Sequence, residues 1–351
     1  MTNQLLIYGC NGYTGSLISR EAVRRGLRPI LAGRNAAAVK VLADELQCEW
    51  RAFDLSETEK LKEALRLAHT VLHCAGPFQY TSETMIHACL ETGTHYLDIT
   101  GEIGVFENAF RYNEAATRAN LLVMPGVGFD VVPTDCLSLF LKKQLPAATS
   151  LELAIMQQGG RLSHGTAITV VETLDQGSAS RVNGKITPSK SGSVTRTIDF
   201  DGPRRLAVEI PWGDVSTAYR TTGIPNIRVY NVLPLKLISR MKWSNWLRPF
   251  LALRFVKDRA IKAIKQRPAG PTEAERQSGK TFIWGEVADA TGKQVQAMLW
   301  LGEGYQLTAE TAVELAFRVL NGNISARGYQ TPAAVVGEDF ILNYGTRKLL
   351  P

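Results

Sequence analysis

Residues 5–15 read Leu-Leu-Ile-Tyr-Gly-Cys-Asn-Gly-Tyr-Thr-Gly, and this stretch decides the fold. Leu5 to Tyr8 is a short apolar run that stops at a glycine instead of continuing a helical period, which predicts a buried strand. Gly9, Gly12 and Gly15 follow at three-residue spacing, and Ser16 to Arg25 predicts a helix. A strand, a glycine turn and a helix bring backbone N–H groups and the positive end of a helix onto a phosphate. The expected ligand is a dinucleotide pyrophosphate, held by Gly9, Asn11, Gly12, Tyr13, Thr14 and Gly15. A glycine spacing on its own is a weak signal, so the rest of the chain has to supply the context.

The residues up to Met124 supply it. Arg28 to Gly33 predicts a second strand, Glu49 to Phe53 a third, Thr70 to Cys74 a fourth, His95 to Ile99 a fifth and Leu121 to Met124 a sixth. Helical stretches lie between them at Ala36 to Leu46, Ser56 to about Leu67, Ser82 to Thr92 and Val105 to Arg118. Asn35 and Ser56 are the expected N-caps. Strands alternating with crossover helices predict an α/β fold, a doubly wound parallel sheet of the Rossmann type with its ligand at the carboxyl ends of the strands. Where the second strand ends, an acidic side chain suits a free ribose 2′-hydroxyl and an arginine suits a 2′-phosphate. This chain has Arg34 with Asn35 beside it, and a guanidinium grips a phosphate with two parallel hydrogen bonds. NADP(H) is therefore the expected cofactor. Asp54, ending the third strand, is expected at the adenine edge. Ala75-Gly76-Pro77, ending the fourth, lets the chain pass close to the nicotinamide ribose.

The 351 residues suffice for two domains and a substantial core. An apolar content of 45% and a charged content of 21% suit a soluble globular protein. No cationic n-region with an apolar stretch opens the sequence, so no signal peptide is read. No apolar run reaches the roughly 20 residues of a membrane-spanning helix. The five cysteines are scattered, without a CxxC pair, which fits a reducing cytoplasm and no metal site. Neither a GxSxG elbow nor an HExxH pair is present, so hydrolase readings have no support. The net charge of +7 is concentrated in one place: between Leu233 and Arg267 ten Lys or Arg face a single acid, Asp258, which leaves the rest of the chain at −2. A near-neutral body with one basic element is not a nucleic-acid binder.

From about Thr149 the helix–strand alternation gives way to strand-like runs at Ser150 to Met156, Val194 to Phe200 and Thr281 to Val287. Asn231 to Arg267 interrupts them as a basic helical segment that Pro249 is expected to break. Pro125-Gly-Val-Gly128, two glycines after a strand, marks a candidate hinge, and a cleft between domains is expected there.

Long stretches of the chain, in order, resemble the saccharopine dehydrogenase-like oxidoreductases. They are YGCNGYTG (8–15), AGRN (32–35), HCAGPFQYTSETMIHACLETGTHYLDITGE (73–102) and PGVGFDVVPTD (125–135). The likeness continues through PWGDVSTAYRTTGIPNI (211–227), GPTEAERQSGKTFIWGEV (270–287) and GYQTPAAVVGEDFIL (328–342), and the nearest branch is that of the trans-acting enoyl reductases. The resemblance implies an NADP-binding domain at 1–127 and a mixed α/β substrate domain at 128–304, with the basic segment at about 233–267. It also implies a C-terminal helix (Thr308 to Leu320) and tail, 305–351, that return to the first domain.

Hydride addition to an enoyl thioester calls for a donor at the enolate oxygen and a proton at the α-carbon. Asp130, between Phe129 and Val131, is one catalytic candidate, because burial raises a carboxyl pKa. Its ordinary alternative is an acceptor for nearby backbone N–H groups. His164, in SHGTAIT, can donate a proton near neutral pH. Tyr219 and Arg220, in the polar run Asp214 to Thr221, can polarise a carbonyl, with a plain surface loop as the alternative. The turn Thr100-Gly101-Glu102 points to the same cleft by topology.

The basic segment interleaves cations with Trp, Phe and Leu, which suits an anionic and greasy partner: a membrane surface, or an acyl chain on coenzyme A or an acyl carrier protein. A lid with its apolar face packed inward is the alternative, and a homodimer is a further expectation. Three functions stay open. The first is an NADP(H)-dependent reductase of an activated double bond on a lipid-like or polyketide-like acyl thioester. The second is a saccharopine-type dehydrogenase of an imine, with Arg161, Arg181 and Arg220 for the substrate carboxylates. The third is a non-catalytic NADP-binding protein, cytoplasmic but peripheral at a lipid surface.

Overall fold

Strands buried on both faces read as unbroken apolar runs, and the first unit of the computed structural model is built from them. The structure describes residues 4–202 and 204–350. The chain divides into two compact units, one formed by the residues up to Val132 with Tyr305–Val335, the other by Pro133–Gly304 with the residues from Val336.

In the first unit, β1 (Leu5–Tyr8), β2 (Ile30–Gly33), β3 (Trp50–Ala52), β4 (Thr70–His73), β5 (His95–Asp98) and β6 (Leu122–Met124) alternate with helices. These are α1 (Tyr13–Arg24), α2 (Ala36–Leu46), α3 (Thr58–Arg66), α4 (Phe78–Thr92), α5 (Ile103–Arg111) and α6 (Asn113–Arg118). The sheet is parallel throughout, and its order β3-β2-β1-β4-β5-β6 reverses direction between β1 and β4. In a sheet of this order the ligand lies where the direction reverses. Leu6, Ile7, Leu31, Val71, Leu72, Tyr96 and Leu97 are wholly buried in its layers.

Two local details differ from the expectation and one agrees with it. Ser56 does not cap α3; Glu57 holds that position, and Ser56 donates its N–H and hydroxyl to Asp54 instead. Asn35 does cap α2, accepting from the Ala38 N–H at 3.1 Å. The helix expected from Ser82 starts at Phe78, because Glu102 accepts from the N–H groups of Phe78 (2.8 Å) and Gln79 (3.1 Å) and so supplies a cap from a distant part of the chain.

The second unit opens with α7 (Val132–Gln144) and β7 (Ser150–Gln158), then α8 (His164–Thr173), β8 (Ser178–Val182), β9 (Lys185–Ser189), β10 (Thr195–Asp199) and β11 (Arg204–Glu209). It continues with α9 (Asp214–Thr222), β12 (Asn226–Val232), α10 (Leu235–Ser244), α11 (Arg248–Leu251), α12 (Arg254–Lys265), α13 (Glu273–Ser278), β13 (Lys280–Ala288) and β14 (Gln294–Leu301). Its nine-stranded mixed sheet runs β10-β11-β12-β7-β13-β14 and onward, with β8 and β9 branching from β12. Ala154, Ala207, Tyr230, Trp284 and Met298 form the core on one of its faces.

The remaining chain is shared. Helix α14 (Gly304–Leu320) leads to β15 (Gly328–Tyr329), which pairs with β6 and extends the first sheet; the expectation is that the tail, too, packs on the first domain. After α15 (Pro332–Val336) the tail departs from that expectation. Its strand β16 (Gly345–Leu350) pairs antiparallel with β14 and lengthens the second sheet, because β14 otherwise presents an open edge.

Candidate functional site

The glycine turn after β1 is shaped by what its backbone must avoid. Gly9 has φ +83°, a conformation open to glycine, and a Cβ there would stand 2.8 Å from the Ala75 nitrogen. A Cβ on Gly15 would fall on the Gly9 carbonyl oxygen. The turn is pinned by the N–H groups of Gly9 and Cys10, both donating to the Ala32 carbonyl, at 2.8 and 3.2 Å. Gly12 is the N-cap of α1 and brings no capping side chain, so the first amides of that helix are open to an anion.

Asn11 stands over Gly33, where a Cβ would meet its Oδ1 at 2.8 Å. Tyr13 and Thr14 begin α1, half-buried, while Asn11 and Gly12 are exposed. At the end of β2 the Arg34 and Asn35 side chains are exposed, and at the end of β3 so is Asp54. Hydrogen bonds from Ser56 hold the Asp54 carboxyl below its ordinary value, and the nearby Arg34 charge adds to this. At the end of β4 come Ala75, Gly76 and Pro77, the last two joined by a cis peptide. Exposed backbone and polar groups thus follow the carboxyl ends of β3, β2, β1 and β4. The glycine turn follows β1 and Arg34 follows the neighbouring β2, side by side in this row.

The other side of the reversal, at β5 and β6, carries acids. Asp98 is fully buried and accepts from Tyr96 Oη (2.5 Å) and from the N–H groups of Thr100 and Gly126 (both 2.9 Å). Burial pushes its carboxyl up to about 6 against the lowering effect of those donors. The stretch 125–128, expected as a hinge, is buried and fastened at both ends. Val127 N–H donates to the Asp98 carbonyl at 2.8 Å, and Phe129 N–H donates to Thr308 Oγ1 at 3.0 Å.

Asp130 follows directly. A Cβ on Gly101 would stand 2.7 Å from its Oδ2, so the carboxyl lies against Gly101. It is half-buried, with no hydrogen-bond partner among the described residues. Burial first, and then the Glu102 charge, push it up to about 7. Glu102 is itself raised by burial, although the Phe78 and Gln79 amides oppose this.

The other three catalytic candidates lie in the second unit and are built differently. His164 Nε2 donates to the Arg267 carbonyl at 2.8 Å, and its own N–H donates to the Ala269 carbonyl at 2.9 Å, so it fastens the start of α8. Tyr219 and Arg220 stand together on α9. The Tyr219 ring lies under the Arg181 guanidinium at 4.2 Å and near that of Arg220 at 5.8 Å. The polar run around them is a helix rather than a loop, with Asp214, Ser216 and Thr217 fully buried. The arginines expected to receive substrate carboxylates have protein partners: Arg161 pairs with Glu275 at 2.7 Å, and Arg181 donates to the Val215 and Gly184 carbonyls, each at 2.7 Å.

Two features escaped the sequence. Asp98 is visible only as an acid closing the apolar run His95–Asp98, a weak sign of a buried clamp. His73, buried at the end of β4, bonds through Nε2 to Thr81 Oγ1 at 2.9 Å, and burial lowers it to about 3, so it is neutral and structural. The thiols of Cys10 and Cys74 are raised by burial and stay protonated. No group of three or more His, Cys, Asp or Glu suited to a metal occurs among the described residues.

A saccharopine dehydrogenase-like oxidoreductase of Bos taurus is 30% identical over 151 residues, 37% of this chain and 35% of that protein. A trans-acting enoyl reductase of Mycobacterium ulcerans (strain Agy99) is 28% identical over 140 residues, 38% of this chain and 34% of that protein. The matched part is thus about a third of the length of these relatives. The solved structure of apo histidine-tagged saccharopine dehydrogenase (L-Glu forming) from Saccharomyces cerevisiae superposes with a TM-score of 0.67. It covers 99% of this chain and 100% of the yeast chain at 11% identity, and so shares the fold. Residues 5–124 match the family model of the saccharopine dehydrogenase NADP-binding domain.

Proposed function

We propose that the protein is an NADPH-dependent reductase of an activated carbon–carbon double bond, carried on a lipid-like acyl thioester. The observation that carries this reading is Asp130. It is a half-buried carboxyl without a protein partner, raised to about 7, beyond the strand-order reversal from Arg34 and in the same unit as the glycine turn. The dinucleotide, when bound, supplies a hydride. The chain's own part is to hold the pyrophosphate at the Gly9–Gly15 turn, grip the 2′-phosphate with Arg34 and keep a proton on Asp130 at neutral pH. A carboxyl poised near the working pH both holds and releases a proton efficiently. The name of the mycobacterial relative supports an enoyl substrate. The protein partners of Arg161 and Arg181 weigh against an imine bearing several carboxylates.

The test follows NADPH oxidation with trans-2-enoyl thioesters of increasing chain length. Turnover is expected. Arg34→Ala is expected to weaken NADPH, and not NADH, by roughly tenfold to a hundredfold, the worth of about 1.5–3 kcal/mol of charge-assisted hydrogen bonding. Tight NADPH binding with every enoyl thioester inert would overturn the substrate class. Imine reduction under those conditions would establish the saccharopine-type alternative.

A further inference from the structure

An amphipathic helix normally turns its apolar stripe toward the body of the protein. The stretch from α10 through α11 does the reverse. Trp243 lies in the last turn of α10, Trp246 and Leu247 lie in the 3-10 turn Asn245–Leu247 that follows, and Phe250 is in α11; their exposures are 74%, 84%, 57% and 64%. Other side chains hold the segment in place, mostly with polar bonds. Ile238 is buried, the Asn245 side chain accepts from Ser191 N–H (3.0 Å) and donates to the Ser191 carbonyl (2.8 Å), and Arg248 Nε donates to the Asp175 carbonyl (2.8 Å). The outward set is therefore not a poorly packed core face. It is a contiguous apolar patch held out by its own anchors, and such a patch marks a binding surface.

The surrounding charge selects the partner. Lys257 pairs with Asp175, and Arg254 with Glu172 and Asp258. Lys236, Arg240, Lys242, Arg259, Lys262 and Lys265 form no ion pair among the described residues. Like charges would oppose a second copy of the chain docking through this face. Two tryptophans and a phenylalanine beside unpaired lysine and arginine match the headgroup boundary of an anionic bilayer, where aromatic rings settle and cations meet lipid phosphates. We infer that residues 235–265 dock the protein on an anionic phospholipid surface, with Trp243, Trp246, Leu247 and Phe250 inserted at the headgroup level. This concerns the second unit alone and holds whatever the hydride acceptor. No helix among the described residues is long and apolar enough to cross a membrane, so the attachment is peripheral.

The experiment is flotation of the full chain with vesicles of phosphatidylcholine, with and without phosphatidylglycerol, read together with tryptophan fluorescence. Of the six tryptophans only Trp243 and Trp246 are exposed, so a blue shift on binding reports them. The anionic vesicles are expected to bind the protein at least tenfold more tightly, and salt to weaken binding. Trp246→Ser with Phe250→Ser is expected to abolish the shift and lower binding more than tenfold. Lys236→Glu with Arg240→Glu is expected to lower binding by a similar factor while NADPH affinity stays unchanged. Three results would overturn the inference: no flotation, binding indifferent to both variant pairs, or a blue shift produced by an acidic acyl carrier protein and not by vesicles.

Discussion

A carboxyl that lies against a glycine, with an acid beside it, titrates differently from one on the surface. Asp130 holds its proton until the pH rises to about 7, so reductive turnover is expected to fall as pH passes that value. Asp130→Asn should lower turnover and remove that limb of the pH profile. The same raised value has a thermodynamic sign. The folded state binds the proton more tightly than an unfolded chain with a value near 4, so this contribution to stability is full below about pH 4 and gone above about 7. Urea titrations across that range should show the wild type losing stability relative to Asp130→Asn. Gly15 gives a second prediction at this scale. Its missing side chain makes room for the Gly9 carbonyl, and Gly15→Ala should cost about 1–3 kcal/mol and reduce NADPH affinity, measurable by denaturation and by cofactor fluorescence. Gly15 was legible in the sequence because the strand–helix rhythm that follows gives context to three glycines after an apolar run. The environment of Asp130 was legible only in part, since neither Gly101 nor Glu102 is close to it in the chain.

Helix α4 shows why element boundaries are harder to read than element identities. Its amphipathic residues announce a helix, yet nothing local caps Phe78, since Pro77 has no side-chain acceptor. Glu102 provides the acceptor across the sheet and also raises Asp130, so one side chain serves a helix start and a neighbouring titration. Glu102→Ala should therefore cost about 0.5–2 kcal/mol in urea denaturation and also move the Asp130 limb below 7. A purely structural residue would change the first reading and leave the second alone. Ser56 failed as a cap for the converse reason, because Asp54 had already taken its hydroxyl. Strands β8, β9, β11, β12 and β14 were not singled out in advance. In a mixed sheet, alternation over five to eight residues is shared with exposed loops, and it becomes decisive only when the partner strands are known.

At the scale of the whole molecule, the helix–strand rhythm of the first unit was readable because each crossover is local. The final assignment of the tail was not, since β16 pairs with a strand more than forty residues earlier. Deleting Gly345–Leu350 should bare the edge of β14, lower the unfolding temperature and speed proteolysis within 133–304, as limited trypsin digestion would show. The chain passes between the units three times, and each unit incorporates a late segment: β15 in one, β16 in the other. A growing polypeptide usually finishes its N-terminal domain first. Here the nascent chain cannot complete either sheet until nearly all of these residues have left the ribosome. The edge of β6 waits unpaired while residues 125–327 are made, that of β14 only while residues 302–344 are, so β6 carries the exposed edge for which a chaperone matters most.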